Sequence, residues 1–382
     1  SIMIQIVADH KIPFLKGALE GVASVKYLSG GEISRSDLLE ADALIIRTRT
    51  RCDRSLLEGT GVKFIATATI GHDHIDREYC SEAAISWVNA PGCNASSVQQ
   101  YMVSTLLYLA VERNLELSSL TLGVIGVGNV GSKVVKAAES LGMKVLMNDP
   151  PRERSEGSGP FVPLEHLLAQ SDVVTLHVPL NRGGADNTLQ MVNRQFIQQM
   201  KPGAILVNSS RGGVVSEQHL ISGIESGKIS GAVLDVFQGE PEVGAGLLDL
   251  LTLATPHIAG YSLDGKANGT TMAVQAVSQF FNLGLDGWEP DGIPLPEQTM
   301  LLGDASSFSR NELLWELFRQ TYDVSKDDRR LRDQPEAFES LRGNYPLRRE
   351  PPAFSVRLFQ GYPEIRELLE ALGFSVLSDH CS

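Results

Sequence analysis

Short apolar runs alternate along most of this chain with stretches in which apolar positions recur every three or four residues. In the first ninety residues MIQIVAD, ALIIRT, KFIATAT and ISWVNA read as strands separated by helical patterns such as SDLLEA. Strands that alternate with helices predict a parallel sheet with helices on both faces. Ala95 to Glu116 then forms one long helical pattern, which reads as a bridge between domains. Beyond it the alternation resumes, with LGVI, KVLMND, DVVTLHVP, AILVNSS and GAVLDVF as strands and PLEHLLAQS, NRQFIQQM and SEQHLISGIESG as helices. Leu251 to His257 makes a final strand, and the helix Lys266 to Leu283 is expected to return to the first domain. The expected architecture is α/β with two doubly wound parallel sheets: a Rossmann domain (94–257) inserted into a discontinuous flavodoxin-like domain (1–93 and 258–286). Two such domains predict a cleft between them and hinge closure over a ligand.

From about Gly287 the pattern changes. A proline-rich linker, GWEPDGIPLPE, precedes a helix around Asn311 to Val324, a charged run DDRRLRD that reads as a solvated loop, a strand SVRLF, a helix PEIRELLEALG and a last strand FSVL. This predicts a small α+β unit over 287–382. It carries no catalytic constellation, so assembly or regulation is its expected role.

One stretch has the spacing of a phosphate cradle. In LGVIGVGNVG the apolar run Leu122 to Ile125 meets Gly126, Gly128 and Gly131 at GxGxxG spacing, and a helical pattern starts at once. Such glycines serve a tight turn, close backbone approach to a pyrophosphate and helix–strand packing, and the helix start offers free N–H groups to the anion. About twenty residues on, KVLMND ends in Asp149, where a ribose-binding carboxylate is expected. A 2′-phosphate there would meet like charge, which favours NAD over NADP, although Arg152 and Arg154 lie just beyond.

The composition, 42% hydrophobic and 21% charged, is that of an ordinary globular protein and excludes disordered and fibrous classes. A formal net charge of −13 argues against nucleic acid and anionic membrane as partners, so an anionic substrate needs a local basic pocket. No apolar run is long enough to span a bilayer, and the first ten residues lack the pattern of a signal peptide, so a cytoplasmic location is expected. Ser1 and Ile2, ahead of Met3, read as added residues and are left out of the fold reasoning. Cys52, Cys80, Cys93 and Cys381 are scattered without a CxxC pair, so neither a metal site nor a disulfide framework is expected.

Three residues stand just past the ends of predicted strands: Arg211 in NSSRGGVV, Glu240 in DVFQGEP and His257 in TPHIAGY. Oxidation of a secondary alcohol by hydride transfer needs a base for the hydroxyl proton, a cation for an adjacent carboxylate and a dry cleft. His257 suits the base, Glu240 the group that orients it, and Arg211 the cation. Polar residues also follow the first domain's strands, Arg47 and Thr48 after one and Thr69, Ile70 and Gly71 after another, at the edge where open α/β sheets bind ligands.

With GVGNVG, the Asp149 strand end, NSSRGG, DVFQGEP and TPHIAG in this order, the stretch from Met3 to Leu283 resembles the D-isomer-specific 2-hydroxyacid dehydrogenase family. The resemblance implies NAD as cofactor and Arg211, Glu240 and His257 as the catalytic set. It also implies cofactor contacts from Gly126, Gly128, Asn129, Val130, Gly131, Asp149, Thr175, Ser210, Asp235 and Gly260. Many relatives carry other small residues where this chain has Ser209 and Ser210. ATATIGHDHID, NAPGCNA, HIAGYSLDGKANGTT and the C-terminal unit match one branch more closely. That branch oxidises 4-phospho-D-erythronate to 2-oxo-3-hydroxy-4-phosphobutanoate with NAD, in pyridoxal 5′-phosphate biosynthesis. It implies substrate contacts from Thr48, Thr69 and Tyr261 and a homodimer built through the C-terminal unit. A substrate charged at both ends needs a second cation besides Arg211; Arg47 is favoured over Arg49, with His72, His74 and Lys266 as further candidates. The alternatives are a relative acting on 3-phosphoglycerate or a small unphosphorylated acid, and a non-catalytic, NAD-sensing scaffold of corepressor type.

Overall fold

Parallel pairing, register by register, builds three separate sheets in this chain. The computed structural model describes residues 2–360 and 363–377, which divide into two compact units, 1–94 with 262–294 and 95–261 with 295–382. Ser1 and Cys381 lie outside the described residues; Cys52, Cys80 and Cys93 are free thiols.

The first unit holds β1 (Ile4–Asp9), β2 (Ala23–Leu28), β3 (Ala43–Ile46), β4 (Phe64–Thr67) and β5 (Ser86–Val88) in the order β2-β1-β3-β4-β5. This is the flavodoxin-like order. Strand β2, which the sequence pattern had not marked, is the edge strand beside β1; its half-polar face (ASVKYL) leaves little apolar signal. SDLLEA forms only a short 3-10 turn, Arg35–Leu38. The helix Leu263–Phe281 lays Ala273, Val274 and Val277 against Ile6, Ala8 and Phe64. Its approach requires Gly269, where a Cβ would lie 2.9 Å from the Ala68 carbonyl oxygen.

The second unit contains β6 (Thr121–Ile125), β7 (Lys144–Asn148), β8 (Val173–Leu176), β9 (Ala204–Asn208), β10 (Ile229–Leu234) and β11 (Leu253–Ala254), ordered β11-β10-β9-β8-β6-β7. The central strands β8 and β9 are buried at every position, as a parallel sheet covered on both faces demands. The sheet's chain order reverses at β6, which lies between β7 and β8.

The helix Ala95–Glu112 is a core element of this unit, and its reading as a bridge gives way to that finding. Thirteen of its eighteen residues are buried, so it is apolar nearly all round and packs on every side. One side meets the helix Asn129–Ser140; another meets Leu313, Leu314, Leu317 and Phe318 of the C-terminal segment within one continuous core. Ser104 ties the two chemically, its hydroxyl donating to the Tyr322 carbonyl and accepting from the Val324 N–H.

The C-terminal segment from Leu301 to Phe374 thus shares the core of the six-stranded sheet. This part of the chain adds a third sheet, β12 (Met300–Asp304), β13 (Ser355–Phe359) and β14 (Ser375–Leu377), in sequential order. The charged run DDRRLRD corrects the sequence reading: it belongs to the helix Val324–Asp333 and is not a solvated loop. Asp327 is 2% exposed and accepts from the Tyr322 and Tyr345 hydroxyls, while Arg332 donates to the carbonyls of Leu248 and Leu251. A charge run with its groups bonded inward looks, by composition alone, like a solvated one.

Candidate active site

The reversal of strand order at β6 opens a crevice beyond the carboxyl ends of β6 and β8, the general ligand position of doubly wound sheets. Gly126, at φ 85°, turns the chain there, and a Cβ on it would stand 2.2 Å from the His177 carbonyl oxygen. A Cβ on Gly131 would stand 1.9 Å from the Gly126 carbonyl oxygen, so the helix Asn129–Ser140 begins directly against the turn. Gly128 differs, since its missing Cβ would meet nothing within 4 Å. It is the helix N-cap, and no side chain caps that end. Open space beside uncapped first-turn N–H groups fits the pyrophosphate of a dinucleotide.

Asp149 ends β7 and caps the helix Pro150–Glu156. One carboxylate oxygen accepts from the Arg152 N–H at 3.1 Å, the other from the Val127 N–H at 2.8 Å, which locks the glycine turn to the neighbouring strand. Each oxygen keeps a lone pair for a further donor such as a ribose hydroxyl. Arg152 is committed to Glu156 and the Val127 carbonyl, and Arg154 to Asp186. With both guanidiniums paired, Asp149 sets the local charge, which fits a ribose better than a 2′-phosphate.

Two expected cofactor contacts prove to be interior groups. Thr175 is fully buried in β8, its hydroxyl hydrogen bonded to His177 Nε2 at 2.9 Å, and burial pushes the His177 imidazole down to about 3. His177 therefore stays neutral. Asp235, 1% exposed, accepts from the Thr255 hydroxyl and from the N–H groups of Ile258 and Ala259. Burial raises its carboxyl to about 6 against the pull of His257 and these donors. Its visible work is to hold the loop that follows β11. Gly260 and Tyr261 complete that loop, closed by the Tyr261 N–H on the Ile258 carbonyl.

Arg211 follows β9 on a turn organised by Asn208, whose side chain accepts from the Ser210 N–H and hydroxyl and donates to the Arg211 carbonyl. Arg211 is exposed, and its Nη1 donates to the Ser210 carbonyl at 2.8 Å. A Cβ on Gly212 would stand 2.0 Å from the Phe237 carbonyl oxygen, so this turn lies backbone against backbone on the turn that carries Glu240. Ser209 keeps a hydroxyl without a partner among the described residues.

Glu240 accepts from the Phe237 N–H at 2.9 Å with one oxygen and meets His257 Nδ1 at 2.8 Å with the other. Burial alone would raise its carboxyl. The hydrogen bond and charge of His257, the Phe237 N–H and the nearby Arg342 together bring it below the usual range. An ionised carboxylate only accepts, so Nδ1 carries the proton and Nε2 holds the free lone pair. His257 itself sits at φ 59°, a left-handed conformation that side chains rarely adopt, and such strain persists only where the surroundings over-determine it.

In the first unit, Arg47 is half-buried after β3 and donates to the Lys11 carbonyl, while Thr48 and Arg49 are exposed. Lys266 lies near Arg47; burial first, and then the Arg47 charge, lowers its ammonium from the usual range. Thr69 donates to the Gly71 carbonyl, and Asn89 holds the Ile70 carbonyl. The His72 ring lies tilted against Trp87, 5.2 Å between centroids, and His74 Nε2 is hydrogen bonded to the Thr67 hydroxyl. Among the described residues no group of three or more His, Cys, Asp or Glu is arranged to hold a metal, and no helix is long and apolar enough to cross a membrane.

Sequence reasoning missed Arg342. Its Nε donates to the His257 carbonyl at 3.3 Å, from a segment 85 residues further along the chain. No local pattern marks such a contact.

Residues 99–259 match the family model described as D-isomer specific 2-hydroxyacid dehydrogenase, NAD binding domain, and residues 295–373 match a domain of unknown function. The chain is 45% identical over 354 residues to the erythronate-4-phosphate dehydrogenase of Bacteroides fragilis, covering 92% of this chain and 99% of the relative. It is 42% identical over 379 residues to the enzyme of that name from Pseudomonas putida, covering 96% and 98%. Among solved structures, D-lactate dehydrogenase from Aquifex aeolicus, complexed with NAD and lactic acid, is 29% identical with a TM-score of 0.59 and covers 76% of this chain and 100% of its own. D-2-hydroxyisocaproate dehydrogenase shares the fold, with a TM-score of 0.63 over 74% of this chain and 98% of its own at 24% identity.

Proposed function

The chain belongs to the D-isomer specific 2-hydroxyacid dehydrogenases and, within them, to the erythronate-4-phosphate dehydrogenases, and from this premise we propose that it oxidises 4-phospho-D-erythronate to 2-oxo-3-hydroxy-4-phosphobutanoate with NAD, in pyridoxal 5′-phosphate biosynthesis. The observation that carries the reading is the Glu240–His257 pair, with Nε2 left basic, next to the turn that bears Arg211.

In the reaction His257 Nε2 takes the proton of the C2 hydroxyl while the C2–H bond breaks. Glu240 keeps the ring oriented and balances the imidazolium that forms. Arg211 pairs with the substrate carboxylate and polarises the C2 oxygen. NAD, when bound, supplies the hydride acceptor; Gly126, Gly128, Asn129, Val130 and Gly131 would hold its phosphates and Asp149 its ribose, with Thr175, Ser210, Asp235 and Gly260 as further cofactor contacts. A general base in this position contributes about 10²- to 10⁴-fold in rate.

For the second charge of the substrate, the phosphate, we assign Arg47 with Lys266, supported by their proximity and by the lack of a carboxylate partner for Arg47 among the described residues. Thr48, Thr69, Ile70, Gly71 and Tyr261 complete the proposed substrate set. Arg47→Ala should raise KM for 4-phosphoerythronate by about 10²-fold, the cost of roughly one charge-assisted contact, and change KM for an unphosphorylated 2-hydroxy acid little. Equal losses on both substrates would remove the assignment.

The proposed homodimer is supported by one open face of the third sheet. Met300, Leu302, Phe359 and Leu377 lie on it, with Leu302 in register with Arg357 and Arg357 with Leu377; Leu302 is 59% exposed. Exposed apolar side chains gathered around Arg357 on one sheet face suit contact with a second copy of the chain. Leu302→Asp should turn the dimer into a monomer by sedimentation velocity; an unchanged mass would send the interface elsewhere. Use of the NAD pool is what supports a cytoplasmic location.

The deciding assay offers 4-phosphoerythronate, 3-phosphoglycerate and D-lactate side by side with NAD and follows reduced nicotinamide by absorbance. Reduction with 4-phosphoerythronate is expected. Reduction only with another acid would move the substrate, and none at all would end the enzymatic reading.

A further inference from the structure

The catalytic loop is held by a stretch of the C-terminal segment, from Phe338 to Arg348. Residues 338–348 touch both turns of the catalytic pair. Phe338, fully buried, meets Phe237 edge to face at 6.1 Å, three residues before Glu240. Tyr345 meets Tyr261 edge to face at 5.8 Å and anchors its own hydroxyl on Asp327. Arg348, buried, donates to the carbonyls of Ile258 and Ala259. Between these anchors Arg342 donates Nε to the His257 carbonyl and lays its guanidinium over the Tyr261 ring, 5.5 Å from the centroid.

From His257 to Ala259 each backbone polar group of the histidine loop is tied. The His257 N–H goes to the Thr255 carbonyl, the Ile258 and Ala259 N–H groups to Asp235, and the Ile258 and Ala259 carbonyls to Arg348. The remaining group is the His257 carbonyl itself, and Arg342 takes it. A left-handed histidine needs this enclosure, because relaxation of its φ would swing the imidazole off Glu240.

We propose that Arg342 is a positioning residue for the dehydrogenase reaction: by holding the His257 carbonyl and the Tyr261 ring it keeps the catalytic imidazole aligned, so that residues 295–373 complete the active site as well as the fold. The inference rests on the dehydrogenase reading. Arg342 touches neither reacting atom, and its ion-pair partner Glu339 is 61% exposed, so its removal leaves that carboxylate in water.

The test uses the full chain, wild type beside Arg342→Ala and Arg342→Lys, with 4-phosphoerythronate and the same substrate deuterated at C2. Since about 1 Å of misplacement at a reacting group costs on the order of 10²-fold, Arg342→Ala should lose at least about tenfold in kcat with KM for NAD unchanged. The primary isotope effect should rise as hydride transfer becomes limiting. Added guanidinium ion should restore part of the lost kcat, and Arg342→Lys should fall between the two, outcomes that a merely destabilised protein would not show. Wild-type kcat in Arg342→Ala, or a loss that neither guanidinium nor lysine repairs, would overturn the proposal. Failure of the wild type itself to reduce NAD would instead overturn the dehydrogenase reading, and this inference with it.

Discussion

His257→Asn is expected to lower kcat for 4-phosphoerythronate by about 10³-fold, within the 10²- to 10⁴-fold range of a positioned general base, while NAD binding and thermal stability stay close to wild type. Asparagine is the better replacement than alanine for a physical reason. The residue lies at φ 59°, and asparagine, like histidine, tolerates the left-handed region, whereas alanine would add backbone strain of about 1 kcal/mol to the loss of the base. The loop's other ties, from Asp235, Arg348 and Arg342, involve backbone groups that the substitution leaves in place. The chemical step alone should therefore suffer. Steady-state kinetics with a titration of NAD by intrinsic fluorescence checks it, and a variant that kept kcat within about threefold would show that another group takes the C2 hydroxyl proton.

The second large effect separates folding from cofactor binding within a single motif. Gly131→Ala places a methyl group 1.9 Å from the Gly126 carbonyl oxygen, and both are main chain, so neither can swing aside. The helix Asn129–Ser140 would have to move away from the turn after β6. That overpacking should cost about 1–3 kcal/mol, more than the roughly 1 kcal/mol by which alanine improves on glycine inside a helix, and weaken NAD binding at least tenfold as the first-turn N–H groups lose alignment. Gly128→Ala is the contrast. Its methyl would enter open space, and its φ of −90° lies outside the left-handed region, so the melting temperature should hold. Affinity for NAD should still fall, because the added methyl takes space where the pyrophosphate is proposed to lie. Calorimetric titration and a melting curve on both variants check the pair; loss of stability without loss of NAD affinity in Gly131→Ala would detach the turn from the cofactor.

These contrasts also mark how far local pattern reaches. The strands β1, β3 to β11, β13 and β14 stand out because apolar residues gather along them, most fully in β3, β4, β8 and β9, which are buried at every position, and the glycine spacing stands out because a backbone that close tolerates no Cβ. β2 escapes because an edge strand with a half-polar face lacks that run, and β12 because its apolar part is only Met300 to Leu302. The charged helix Val324–Asp333 escapes for the opposite reason: Asp327 and Arg332 find their partners in Tyr322, Tyr345, Leu248 and Leu251, and such partners do not show in composition.

The candidate site divides in the same way. The residues Arg211, Glu240 and His257 are legible in order, each at a strand end, since the parallel topology sends every such end to the same edge of the sheet. Their pairing at 2.8 Å, the tautomer that it dictates and the left-handed histidine are products of the fold. So is the burial of Thr175 and Asp235, whose hydrogen bonds to His177 and to the loop after β11 no local pattern shows.

By itself the sequence determined the alternation of strands and helices, the phosphate cradle at Gly126 to Gly131 and the chemical identities of the acid, base and cation, because periodicity and steric exclusion act between residues close in the chain. Only the tertiary structure decided that Ala95–Glu112 is a core helix, that the segment from Leu301 to Phe374 shares that core and that Arg342 grips the carbonyl of His257. Those outcomes depend on contacts between residues some 85 to 250 positions apart, where the energy lies in which surfaces meet and no local repeat records it.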